Sequence, residues 1–131
     1  MSEIPGELRY TKEHEWIRER DDGNFELGIT DHAQVSLGDL VFAELPEVDA
    51  TINSGDAFAV VESVKAASDV YLPVSGTIVE VNQALVDGPE LVNADPYGDG
   101  WLIRFRADAP AEIDELLNGD DYERFVAELD D

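Results

Sequence analysis

The sequence predicts a mainly β domain, a small barrel or sandwich trimmed with a few helices. Three observations carry this. Short apolar and β-branched runs recur along most of the chain. Clusters of Gly, Pro, Asn and Asp separate them at close intervals. Only the last twenty or so residues change to helical spacing. The 131 residues suffice for one compact domain with a real core. Neither a linker nor a second domain is visible, so residues 1–131 are expected to form one unit, with a core over about 8–106 and a helical segment over about 110–129.

The elements follow in order. Glu15, Trp16, Ile17 and Arg18 belong to a first strand, and Phe25, Leu27 and Ile29 alternate along a second. The turn residues Asp21, Asp22, Gly23 and Asn24 join them as a hairpin. Asp31 followed by Gln34 has the form of a capping box, which predicts a short helix to about Ser36, ended by Gly38 and Asp39. Residues 40–45 read as a strand closed by Pro46, and residues 53–56 as a turn. Phe58, Val60 and Val61 lead up to Lys65, and Val70, Tyr71 and Leu72 lead away to Pro73. A strand over 77–81 follows, then a loop over 87–100, then a last strand over 101–105. In the tail, Ile113, Leu116 and Leu117 fall at helical spacing, as do Tyr122, Phe125, Val126 and Leu129. Two C-terminal helices are therefore expected. Gly119 would cap the first, Asp120 or Asp121 would cap the second, and Glu112, Asp114 and Glu115 would suit the first helix's dipole. The stripes are packing faces.

Charge narrows the function. There are 31 acidic and 8 basic side chains, a formal net charge of −23. Nucleic acid and anionic membranes would repel such a surface. Proteins with basic rims are the expected partners. The same composition suits a protein that must stay hydrated in high salt. No cysteine is present, so neither a disulfide nor a thiolate metal site can form, and sulfur redox chemistry would need a sulfur-bearing cofactor. The N-terminus MSEIPGELRY has no apolar signal region and no apolar run approaches a membrane span. The cytoplasm is the default, with an organellar protein that has lost its leader as the other option.

The usual catalytic patterns are absent: no phosphate-binding P-loop, no G-x-S-x-G, no H-E-x-x-H. The two histidines, His14 and His32, each adjoin a carboxylate but lack the spaced partners of a metal site. A surface histidine, or one bonded within a turn, is the favoured reading. Neither a catalytic nor a metal site is expected.

Lys65 stands apart. The only other lysine is Lys12. Ser63, Ala66, Ala67 and Ser68 around it are small and leave room for another protein. Its flanking runs imply a two-stranded support that holds the amine out at a hairpin tip. A catalytic lysine belongs in a desolvating pocket. A charged lysine at an exposed tip suits recognition by another enzyme, which points to covalent modification.

Longer segments carry a resemblance. V-E-S-V-K-A-A-S-D, P-V-S-G-T-I-V-E-V-N and E-L-V-N-A-D-P-Y-G-D-G-W-L-I, with Y-T-K-E-H-E-W, G-I-T-D-H-A-Q and L-G-D-L-V-F-A-E-L-P-E-V before them, resemble the H proteins of the glycine cleavage system over about residues 8–125. The resemblance implies a barrel-sandwich hybrid, the flattened β-barrel of lipoyl and biotinyl domains, with a short helix after residue 30 and two C-terminal helices. It implies a non-catalytic, monomeric carrier with lipoate bound covalently to Lys65. Such carriers take an aminomethyl group from a pyridoxal-phosphate glycine decarboxylase to a tetrahydrofolate-dependent aminomethyltransferase, and the reduced dithiol to dihydrolipoamide dehydrogenase. Lipoate-attaching enzymes are further partners, and Glu62 and Gly76 match positions that help them recognise the lysine. Glu15 and Asp69 match acidic positions lining a cleft for the loaded arm. Ser36 stands where some relatives carry histidine, which leaves a third polar cleft contact open.

Other readings fit less well. Lipoyl domains of 2-oxo acid dehydrogenases usually have Asp-Lys-Ala at the turn and continue into a linker. Biotin carriers flank the lysine with methionines, whereas Val64 and Ala66 flank it here. An H-like relay that donates lipoyl groups to other complexes is the alternative the sequence does not separate from the first.

Overall fold

The structure, a computed structural model, describes residues 4–129; the first three and last two residues of the expected 1–131 unit lie outside them. Strands β1 (Arg9–Tyr10), β2 (Glu15–Glu19) and β3 (Phe25–Ile29) form an antiparallel meander. Helix α1 (Asp31–Leu37) leads to β4 (Leu40–Glu44) and the two-residue β5 (Thr51–Ile52). Strands β6 (Ala57–Ser63) and β7 (Ala67–Tyr71) make a hairpin, followed by β8 (Gly76–Val81). Short helices α2 (Ala84–Asp87) and α3 (Leu91–Ala94) precede β9 (Ile103–Ala107). A 3₁₀ helix (Pro110–Glu115) and α4 (Gly119–Leu129) end the described chain.

Six strands pair in the order β1-β2-β3-β9-β8-β5, and three in the order β4-β6-β7. One apolar cluster joins the sheets: Ile17, Leu27, Ile78 and Phe105 from the larger meet Ala43, Val61 and Val70 from the smaller. This is the sandwich that the alternating runs predict. A second cluster lies on the outer side, where Leu8, Tyr10 and Trp16 take Tyr122 and Val126 of α4. The helical stripe at the C-terminus is thus a packing face over Tyr122, Phe125 and Val126, whereas Leu129 at its end is exposed and packs on neither cluster. Among the described residues no helix is long and apolar enough to cross a membrane.

Several local expectations are corrected. The cap of α1 is Thr30, whose hydroxyl accepts the Ala33 amide at 3.2 Å, not Asp31. Thr30 wins because its hydroxyl also shares a 2.8 Å hydrogen bond with the buried Tyr122 hydroxyl, a partner far along the chain. Asp31 is the first helical residue and accepts a 2.6 Å bond from Gln34. The expected loop over 87–100 contains α3, and the last strand begins at Ile103 rather than Trp101. The first C-terminal helix is a 3₁₀ turn opened by Pro110, and Leu117 is extended, exchanging backbone bonds of 2.8 and 3.0 Å with Tyr10. Gly119 opens α4 instead of capping its predecessor. Asn118 is that helix's cap, its side chain accepting the Asp121 amide at 2.8 Å, and Asp120 and Asp121 occupy the first turn.

Candidate functional site

The β6–β7 hairpin turns over Ser63, Val64, Lys65 and Ala66. Small residues with short polar side chains close such turns on themselves. Here Ser63 does so: its amide donates to the Ala66 carbonyl at 2.7 Å, and its hydroxyl accepts the Lys65 and Ala66 amides at 3.2 and 3.1 Å. Val64 and Lys65 are left exposed at the apex, and for Lys65 this is what the sequence pattern predicts.

A platform supports the lysine stem. Gly38 ends α1 in a left-handed conformation, φ +87°, and a Cβ there would stand 3.6 Å from Lys65 Cε. The connection is pinned by Asn93 of α3, whose amide donates at 2.9 Å to the Gly38 carbonyl and to Gln34 Oε1 while its oxygen accepts the Leu40 amide at 2.9 Å. Sequence reasoning missed Asn93, because it lay in a segment read as loop and its partners are more than fifty residues away.

The other predicted residues divide. Glu62 is half-buried at the end of β6, paired across to Ala67 and beside Phe42 of β4, next to the lysine turn. Gly76 is elsewhere. It starts β8 in the six-stranded sheet, paired with Ile52 and Ala107, whereas the lysine turn caps the three-stranded sheet. A Cβ at Gly76 would stand 2.6 Å from the Arg106 carbonyl oxygen, so close strand approach, not a bend, requires glycine there.

Glu15 lies in a cleft of about 320 Å³ formed with Thr11, Glu13, Ser54, Gly55, Tyr71 and Pro73. It is only 2% exposed. One carboxylate oxygen accepts the Thr11 hydroxyl at 3.1 Å and the other the Tyr71 amide at 2.7 Å. Burial pushes its pKa up to about 7, against the opposing pull of the Tyr71 and Thr11 bonds; Glu13 adds to the rise. Asp69 is exposed on β7, between the lysine turn and Tyr71, and outside the cleft lining. Ser36 is exposed on α1 and does not line the cleft either. Of the three candidates, the cleft lining holds Glu15 but not Asp69 or Ser36.

The two histidines pack against each other. Their rings stack with centroids 4.6 Å apart, and His14 Nδ1 shares a 2.8 Å hydrogen bond with the Tyr122 hydroxyl. His14 has φ +67°, a left-handed conformation rare outside glycine. The pair packs the turn before β2 against α1 and α4, which adds a packing role to the turn-bonded histidine read from the sequence.

The chain is similar to known proteins over nearly its whole length. The family model described as Glycine cleavage H-protein matches residues 8–129. A glycine cleavage system H protein of Pseudoalteromonas atlantica is 58% identical over 128 residues, covering 98% of this chain and 99% of its own. One from Escherichia coli is 56% identical over 126 residues, covering 96% and 98%. The crystal structure of a glycine cleavage system H protein from Mycobacterium marinum superimposes with a TM-score of 0.82 at 46% identity, covering 91% of this chain and 95% of that one. A match over nearly the whole length, in sequence and in fold, leaves one conclusion: the chain belongs to the glycine cleavage H-protein family.

Proposed function

We propose that Lys65 is the residue through which this protein, a member of the family of lipoyl carriers of the glycine cleavage system, holds lipoate. The observation that carries the reading is the exposed amine at the apex of a turn stapled by Ser63. The other lysine, Lys12, lies with its amine 6.0 Å over the Phe125 ring. Lys65 fits an amide-linked group: its stem rests by Gly38 and its amine faces solvent, so an arm can leave the turn without displacing the core.

The attached lipoate supplies a disulfide able to accept the aminomethyl group and two electrons, chemistry a chain without cysteine lacks. The protein catalyses no step. It tethers the cargo and so raises its effective concentration at each partner. The partners are a glycine decarboxylase, an aminomethyltransferase and dihydrolipoamide dehydrogenase, with a lipoate-attaching enzyme acting first. Strand β7 runs from the lysine turn to Tyr71, whose amide is on Glu15, so a long arm laid along that edge passes Asp69 and reaches the cleft. There a cationic amine would lie beside Leu72 and Pro73, close to the buried carboxyl of Glu15, which attracts it without being exposed. Glu62 beside the turn contributes to recognition by the attaching enzyme. Gly76 contributes through the sheet it allows to close.

Protein from a lipoate-competent host should carry a single lipoyl mass on the Lys65 peptide. Lys65→Arg should keep its melting temperature, lose the adduct and fail to support glycine decarboxylation with the partner enzymes. An adduct on Lys12, or one of biotin mass, overturns the reading.

A further inference from the structure

Four large apolar side chains stand exposed on the lysine turn and on the two elements that flank it, α1 and β4. Val64 precedes it in the turn and is 81% exposed. Val41 and Phe42, 55% and 49% exposed, come from β4, which pairs with β6 beside the same turn. A β-bulge between Leu40 and Phe42 sets an extra residue of β4 against β6, so both side chains leave the core while Leu40 and Ala43 stay in it. Val35, 62% exposed, lies in the last turn of α1, whose cap Gly38 adjoins Lys65. Edge strands are normally blunted by charge, since exposed apolar edges invite aggregation. A bulge that displays valine and phenylalanine does the reverse, and exposed apolar side chains gathered on neighbouring elements mark an interaction site.

Carboxylates border the ring. Glu62 pairs beside Phe42, and Glu44 and Asp69 sit on either side of Val60 across the same outward face. A partner matched to this surface therefore presents an apolar face with cations at its rim.

We propose that this apolar ring is the docking surface of the enzyme that forms the amide on Lys65. The inference rests on Lys65 being the modified residue. Approach geometry selects this occupant. Acylation places a reaction centre directly at the lysine nitrogen, whose stem lies against Gly38, so the acylating enzyme must cover Val64 and its neighbours. Enzymes that handle the far end of a long arm have no such need. In the step itself the ammonium loses a proton and its nitrogen attacks the carbonyl carbon of an activated lipoyl donor, a mixed anhydride or a thioester. The carbon–nitrogen bond forms, the bond to phosphate or sulfur breaks with its electron pair, and a second proton leaves nitrogen. No oxidation occurs.

The test uses unmodified full-length protein, purified lipoate ligase, lipoate and ATP, with loading followed by intact mass. Val64→Ser and Phe42→Ser should each lower kcat/KM for loading by about tenfold, the size of effect that a buried apolar contact at an interface gives. Val64→Leu should restore it. Val48→Ser, at a residue 50% exposed in the β4–β5 connection, should load as wild type does. Circular dichroism checks folding, and Val64→Ser at the solvated apex decides the matter if Phe42→Ser fails to fold. Loading of both serine variants at the wild-type rate overturns the inference. So does normal loading followed by failure of the loaded variants in glycine decarboxylation, which would assign the ring to the decarboxylase. Failure of the wild-type chain to load at Lys65 instead overturns the reading beneath it.

Discussion

Glu15 on β2 and Tyr71 on β7 are joined by a 2.7 Å hydrogen bond, amide to carboxylate, that crosses from the six-stranded to the three-stranded sheet. The carboxyl is nearly inaccessible, and burial raises its pKa from an ordinary 4.5 to about 7. Between those values the folded protein keeps a proton that the unfolded chain has lost. The group's contribution to stability is therefore full below about pH 4.5 and is lost as the pH rises through about 7. Glu15→Gln removes the titration and keeps an oxygen for the Tyr71 amide. Relative to wild type, the variant should gain roughly 3 kcal/mol between the acid and the alkaline side of this window, measured by denaturant unfolding. A difference that stays flat with pH would show that the carboxyl titrates normally.

The Ser63 hydroxyl accepts two turn amides and donates to the Ala66 carbonyl at 3.2 Å. Ser63→Ala leaves those amides to solvent and should cost about 1–2 kcal/mol. Hydrogen exchange should quicken at Lys65 and Ala66 while the amides paired along β6 and β7 stay protected. Unchanged exchange at the apex would mean that strand pairing alone holds the turn.

What was legible in the sequence was local. The hairpin and its exposed lysine follow from two β-branched runs around small residues, and the α4 stripe from its period. What was hidden depends on distant partners. Thr30 outcompetes Asp31 as a cap because Tyr122 holds it, and Asn93 braces the lysine platform through Gly38 and Leu40. Leu116 and Leu117 fit a helical period, yet Leu117 is drawn out straight to pair with Tyr10. The family resemblance points to Glu15 as a cleft acid, but its burial and its bond to Tyr71 exist only once the two sheets pack.

Gly76 offers a clean separation of packing from recognition. A methyl group there meets the Arg106 carbonyl at 2.6 Å and the Phe105 ring at 3.1 Å, backbone and core that have little room to give. Gly76→Ala should destabilise the fold by about 1–3 kcal/mol, as overpacking does. Under conditions where the variant remains folded, ligase should load Lys65 at the wild-type rate. Slower loading of a fully folded variant would instead give Gly76 a direct part in recognition.

His14 titrates in the opposite sense to Glu15. Burial, and then the neighbouring His32, lower its pKa from 6.5. Its surroundings are the His32 ring, the Tyr122 hydroxyl and the Phe125 ring, with the Lys12 amine over that ring and Glu13 beside it in the chain. Stability from this group is present above about pH 6.5 and falls away as the pH drops through the lowered value. His14→Asn tolerates the left-handed backbone and removes the imidazole. It should lower the melting temperature at neutral pH and flatten its decline on the acid side. An acid limb identical to wild type would place the proton uptake elsewhere.

The net charge of −23 bears on salt. Three of the few cations, Arg18, Arg20 and Arg104, converge on the buried Glu26 at 2.9, 3.1 and 3.0 Å. That leaves little positive charge to balance the acidic surface, so the folded state repels itself at low ionic strength. The melting temperature should rise as salt is added. Simple screening is nearly complete by ~1 M, where the Debye length is about 3 Å. A rise that continues into multimolar potassium chloride therefore reports hydration of the carboxylates and supports adaptation to a high-salt interior. A plateau below that point reduces the acidic surface to ordinary repulsion, and the high-salt reading falls.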